Sequence, residues 1–196
     1  MVIPALLQAG AAMAESPEAV PAPRPWRLVV ATGYDAGLTA GPAVTGMGGG
    51  QQTLAANEGL WLAAGGLLAF GPGRCWELQA TIGLKGSRAG TSASGLSYRA
   101  VPLELLAARA WPRYRVGAGL TYSAGPAYTG SGFSAYLSQD LKNALGLLAQ
   151  AELLGGSPGD AVRSAIGLRV TWQTLLAQDG SGTGASAVGF TAGASF

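Results

Sequence analysis

Eight runs in which apolar side chains alternate with small or polar ones predict an all-β chain, an eight-stranded antiparallel transmembrane β-barrel. Two further observations carry the prediction. The connections between the runs alternate between long and short, and the aromatic residues gather at the ends of the runs.

The runs fall at 26–36, 58–70, 76–85, 98–110, 113–123, 143–154, 162–174 and 187–196. Most are near the roughly 9–11 residues that a tilted membrane strand requires. The first, third, fifth and seventh connections (37–57, 86–97, 124–142 and 175–186) are long and rich in Gly, Ser and Thr. The second, fourth and sixth (71–75, 111–112 and 155–161) are tight Gly/Pro turns. Membrane barrels have short periplasmic turns and long external loops. An even strand count with the N-terminus in the periplasm therefore places every long connection outside.

Taken in order, run 26–36 holds Arg27 and Asp35 at one parity, and that face is assigned to the interior. Run 58–70 is apolar at both parities after Glu58, which leaves the face of Trp61 open. In 76–85, Trp76, Leu78, Ala80, Ile82 and Leu84 oppose Glu77, Gln79, Thr81, Gly83 and Lys85. Run 98–110 puts Tyr98 on the face of Glu104; Arg99 and Arg109 take the other parity at strand ends, where long side chains snorkel. In 113–123, Tyr114, Val116, Ala118, Leu120 and Tyr122 oppose Arg115, Gly117, Gly119, Thr121 and Ser123. Glu152 is the interior charge of 143–154. In 162–174, Val162, Ile166, Leu168, Val170 and Trp172 oppose Arg163, Gly167, Arg169, Thr171 and Gln173. The last run sets Val188, Phe190, Ala192, Ala194 and Phe196 against small residues. A soluble half-buried strand shows the same alternation with its apolar face inward, so periodicity by itself leaves the lipid side open.

Aromatic placement bears on that choice. Trp26, Phe70, Trp76, Trp111, Tyr114 and Phe196 fall at the periplasmic ends, and Tyr34, Trp61, Tyr98, Tyr122 and Trp172 at the outer ends. A soluble core holds its rings in mid-strand, whereas a membrane barrel holds them in two interfacial girdles. Trp26, Tyr34, Trp76, Trp111, Tyr114, Tyr122 and Trp172 are assigned to those girdles.

With the apolar faces on lipid, the strand charges point into the lumen. They are Arg27, Asp35, Glu77, Lys85, Glu104, Arg115, Glu152, Arg163 and Arg169. An eight-stranded barrel is just wide enough to be filled by its own side chains. Unpaired charge there is costly. A closed network of ion pairs is expected, with Glu77, Glu104 and Glu152 near mid-barrel within reach of Arg115, Arg163 and Arg169. A narrow ion path through the same interior is its functional variant.

Composition removes other classes. Charged residues are 11% and hydrophobic residues 48% of the 196, the reverse of a disordered chain. No stretch of about 20 apolar residues offers a transmembrane helix. The net charge of +2 comes from scattered basic residues, so no nucleic-acid partner is expected. There is no histidine, and the single cysteine, Cys75, sits in a Gly-Pro-Gly-Arg-Cys turn as an incidental residue. No catalytic residue, metal set or cofactor is predicted. The run Gly46-Met47-Gly48-Gly49-Gly50 lacks the Gly-Lys-Ser/Thr of a phosphate loop and reads as flexible surface chain.

Residues 1–14 read as a secretory signal, apolar from Val2 and ending in Ala12-Met13-Ala14. Residues 15–25 hold four prolines and read as an extended periplasmic linker. The barrel is 26–196.

The segment Pro102-Leu103-Glu104-Leu105-Leu106, the Trp111-Pro112 turn and Arg115-Val116-Gly117-Ala118-Gly119-Leu120-Thr121-Tyr122 resemble the small outer-membrane β-barrel proteins of bacteria. So does the alternating last run, which ends on an aromatic where a free terminus would ordinarily fray. The resemblance, to the OmpA/OmpX-type architecture, spans 26–196. It implies a bacterial outer-membrane location and insertion by the barrel-assembly machinery through a terminal signal on Val188, Phe190 and Phe196. It implies no particular activity. Three functions are compatible. One is a non-enzymatic, monomeric outer-membrane protein whose loops meet the environment or the lipopolysaccharide layer. The second is a narrow porin-like channel for ions or small solutes. The third is a soluble lipocalin-like binder of an apolar ligand, which requires the apolar faces to point inward.

Overall fold

The computed structural model describes residues 25–40, 43–45, 51–90, 94–132, 134–157 and 159–196. The expected signal segment, the linker up to residue 24, the glycine run 46–50 and Phe133 lie outside the described residues.

Eight strands form one wall: β1 (Trp26–Gly37), β2 (Gly59–Phe70), β3 (Trp76–Gly90), β4 (Ser94–Ala110), β5 (Tyr114–Gly132), β6 (Ala144–Gly155), β7 (Arg163–Ala177) and β8 (Ala187–Ser195). Each pairs antiparallel with the next, and β8 returns to β1 through pairs such as Thr32 with Ala192. Two backbone bonds finish the seam: Leu28 N–H to Phe196 O at 3.1 Å and Phe196 N–H to Leu28 O at 2.9 Å. Closure leaves no edge strand in this wall to template a second chain.

The registers give the geometry. Directly paired residues run Arg27, Leu67, Gln79, Leu106, Gly119, Leu148, Thr171, Ala187 and back to Gly37. One circuit thus climbs ten residues along β1, from 27 to 37. With about 3.3 Å per residue and about 4.8 Å between strands, that stagger tilts the strands by about 41°.

Polarity is inverted relative to a soluble domain. Leu60, Leu84, Leu105, Leu147, Ile166 and Leu168 are among the large apolar side chains exposed on the outer face. Asp35, Gln79, Thr81, Lys85, Arg115, Glu152, Arg169 and Thr191 are buried inside. A contiguous apolar belt of this kind is unfavourable in water and favourable in lipid. On β3 it spans Trp76 to Leu84, about 20 Å along the axis at the derived tilt. The lipocalin-like arrangement, which needs the opposite parity, is overturned.

Three strands run further than alternation and turn signals indicated. Residues 86–97 and 124–142, expected as loops, lie mostly in the tall hairpins β3–β4 and β4–β5. Their Gly, Ser and Thr content reads as loop. Leu96, Tyr98 and Tyr128 nevertheless turn inward there and are buried, which makes the extended ladder worthwhile. A bulge keeps the parity: Arg99 pairs with Ala127 and Val101 with Ala124, so β5 carries one extra residue, with Gly125 at φ 55. The short strand Gln139–Lys142 pairs with β5 and β7, and Gly182–Gly184 pairs with β7, raising the wall on that side.

Candidate functional site

Among the described residues, ionised side chains pair with one another only in the lumen, where they form two charged layers. At the outer layer, Lys85 Nζ on β3 donates to Asp35 Oδ2 on β1 at 2.5 Å. Arg169 on β7 makes a bidentate pair with Glu104 on β4, Nη2 to Oε1 at 2.5 Å and Nη1 to Oε2 at 3.3 Å, and its Nε lies 3.4 Å from Asp35 Oδ1. The guanidinium also rests 4.5 Å from the ring centroid of Trp61. Two cations and two anions balance. Side chains from four strands are cross-linked through them.

The inner layer is an Arg115 bridge. Its Nε donates to Glu152 Oε2 at 2.7 Å, its Nη2 ion-pairs with the same oxygen, and its Nη1 reaches Glu77 Oε2 at 3.1 Å. Gln150 Nε2 satisfies Glu152 Oε1 at 2.7 Å. Buried charges of this kind are tolerable only when paired and hydrogen-bonded, which is how these stand. From the outer layer past the inner one toward the turn end, the lumen keeps a cavity of about 40 Å³, room for about three waters.

The structure thus brings Asp35, Lys85, Glu104 and Arg169 together, and Glu77, Arg115 and Glu152 together. Arg163 joins neither group. Its Nη2 donates to the carbonyls of Trp111 at 3.3 Å and Pro112 at 2.8 Å, because the first residue of β7 sits level with that turn. Arg27 lies at the same end of the barrel.

Above the charged layers an apolar cap closes the outer end. Leu96, Tyr98, Tyr128, Ala144, Leu175 and Ala185 from the walls meet Leu54 and Ala56 from the first long connection. The Tyr98 and Tyr128 rings lie 5.4 Å apart, tilted by 50°. Asn57 pins this lid. Its Nδ2 donates to Thr171 Oγ1 and Ala185 O, both at 3.0 Å, and its Oδ1 accepts from Lys85 Nζ at 2.7 Å.

Alternation put Tyr98 on the face of Glu104, where it lies, left the face of Trp61 open, and gave no sign of Asn57. Trp61 and Tyr98, counted above among the outer-end aromatics, point inward. β2 carries no strand charge to mark its interior parity; Gly33, paired with Trp61, supplies the room, since a Cβ there would meet the indole at 2.7 Å. Asn57 lay in a stretch read as loop, and its one signal is chemical: Asn accepts the left-handed φ of 62 that the inward turn needs.

Of the girdle residues, Trp26, Trp76 and Tyr114 are exposed at the turn end and Trp172 at the loop end. Tyr34 and Tyr122 are half-buried at the loop end, and Tyr34 Oη donates to Glu58 Oε1 at 2.6 Å. Trp111 stacks on Tyr114 at 4.7 Å, and Arg109 lies over Trp76 and Trp111 at 5.8 and 5.1 Å. Arg99 is not at a strand end: it stands mid-strand in the lengthened β4, facing out. Val188, Phe190 and Phe196 are exposed on the outer face of β8 or just after it.

A closed eight-stranded antiparallel barrel, apolar outside and ionised inside, defines a transmembrane β-barrel. Among solved structures it is similar to Neisserial surface protein A, with a TM-score of 0.52 over 88% of this chain and 96% of that chain and 8% identity. No protein-family model and no curated protein matches the sequence. At 8% identity the likeness carries the fold alone.

Proposed function

We propose that this chain is a non-enzymatic, monomeric protein of the bacterial outer membrane, with a sealed polar lumen and a surface-interaction role carried by its long connections. The observation that carries this reading is the pair of seals in series, the two ion-pair layers and the apolar cap held by Asn57. A channel needs a continuous water path. Here only about 40 Å³ of space lies among the paired charges, and a dry cluster stands above it at the outer end. The exposed belt of apolar side chains fits outer-membrane lipid, and the loop end fits the lipopolysaccharide layer. Val188, Phe190 and Phe196 present one apolar face to the barrel-assembly machinery. The likeness to a protein named as a surface protein agrees with this placement.

Two measurements test it. Cell fractionation with heat-modifiable gel migration is expected to place a folded barrel in the outer membrane. Planar-bilayer recording of the purified barrel is expected to show no steady conductance. Stable ion-selective openings would replace this reading with the narrow channel.

A further inference from the structure

The turn end of the lumen opens into a cavity of about 300 Å³ that the inner charged layer touches only through Glu77. Three guanidiniums from separate elements line it: Arg27 on β1, Arg74 in the 71–75 turn and Arg163 on β7. The one carboxylate in its lining, Glu77, is engaged by Arg115. Asp160 stands nearby on the turn before β7, but its Oδ2 accepts the Ser157 N–H at 2.6 Å and it does not line the cavity. Four arginines at this end (27, 74, 115 and 163) stand against three carboxylates (Glu77, Glu152 and Asp160), an excess of one positive charge, while the outer layer is balanced. Positive charge is therefore in excess where the cavity lies.

Two of these arginines also keep a buried donor without an acceptor. Arg163 is only 8% exposed and its Nε has no acceptor, nor has the buried Nη1 of Arg74. Arg74 holds a φ of 53 directly after Gly73 at 63, a backbone position that a residue with a Cβ rarely takes. Guanidinium forks match the oxygens of a phosphate group, and three of them from three directions suit a tetrahedral oxyanion better than a planar carboxylate. Leu67, Ala69 and Trp111 add an apolar wall beside them, which suits an organic substituent on that phosphate.

We propose that this mouth is a binding site for a phosphate group, either free phosphate or the phosphodiester of a phospholipid headgroup. The site follows from the lumen geometry and rests on the membrane reading only for the lipid source.

The test uses the full chain folded in a neutral detergent. Inorganic phosphate is titrated at constant ionic strength against chloride, following tryptophan fluorescence and the thermal midpoint; a parallel series adds phosphatidylglycerol to the micelles. A saturable response is expected, weakened about tenfold or more in Arg74→Gln and restored in part by Arg74→Lys. Both variants keep the Cβ, so backbone strain at 74 is unchanged. If Arg74→Gln loses heat-modifiable migration, Arg27→Gln takes its place. A response to phosphate alone assigns the free anion, and one to phosphatidylglycerol alone assigns the lipid headgroup. No saturable response to either, or an equal one in the variant, overturns the site. Because binding is read in micelles, its failure is distinct from failure of the outer-membrane placement.

Discussion

Asn57, from a long connection, accepts a hydrogen bond from Lys85 Nζ at 2.7 Å inside the barrel, so the lid and the charged lumen share one ammonium group. Lys85 has Asp35 as its second acceptor. Buried 93% by surface, the ammonium is hydrated by the protein rather than by solvent.

Asn57→Ala is therefore expected to lower the unfolding free energy by about 1–3 kcal/mol, from the lost bonds to a buried cation and to Thr171 and Ala185. Asn57→Gly removes the same bonds without the cost of a Cβ at positive φ, so it should be the milder of the two. Urea unfolding followed by tryptophan fluorescence checks the order. Equal stability of all three proteins would mean that the lid is not held through Asn57.

Arg169→Met should be more damaging, by about 3–5 kcal/mol, since it strands Glu104 and half of Asp35 in a buried layer. Adding Glu104→Gln to that variant is expected to recover part of the loss, because the stranded carboxylate goes with it. A double-mutant cycle measures the coupling. Simple additivity would show that the bidentate pair is not the unit of stability.

The cap carries a pH signature. Tyr128, above the apolar belt, has its hydroxyl pushed up from 10.0 to about 12, first by burial and then by the charge of Glu58. Tyr98 is raised as well, by burial and then by Tyr128. Unfolded chains release these protons first, so the contribution to stability is complete below pH 10 and is lost as pH rises through about 12. In a titration at the tyrosinate absorbance band, two of the six tyrosines should ionise last. Six ionising together near the ordinary value would mean an open cap.

Phe196→Ser is expected to reduce outer-membrane recovery severalfold while leaving the purified, refolded barrel nearly as stable. The backbone bonds between Leu28 and Phe196 survive that change, whereas the apolar face offered to the insertion machinery does not. Pulse-chase fractionation separates the two effects. Normal recovery would remove Phe196 from the assembly role.

Much of this protein was open to inspection in one dimension. Strand parity is local, since side chains alternate across the pleat whatever lies beyond. Charges at one parity were thus enough to sort interior from exterior on β1, β3, β5 and β7, and the Gly/Pro turns and the count of eight followed in the same way. Run 58–70 defeated that logic because both of its faces are apolar, and the 86–97 and 124–142 segments because small residues disguise a buried ladder. The partners were decided elsewhere. Arg163 and Arg169 share a strand and a parity, yet one meets turn carbonyls and the other meets Glu104 across the lumen. The ten-residue climb around the closed wall sets which levels face each other, and closure is a property of all eight registers at once. Sequence determined which side chains turn inward; only the closed, staggered sheet decided which of them meet, because alternation has a period of two residues and the stagger is spread over the whole circuit.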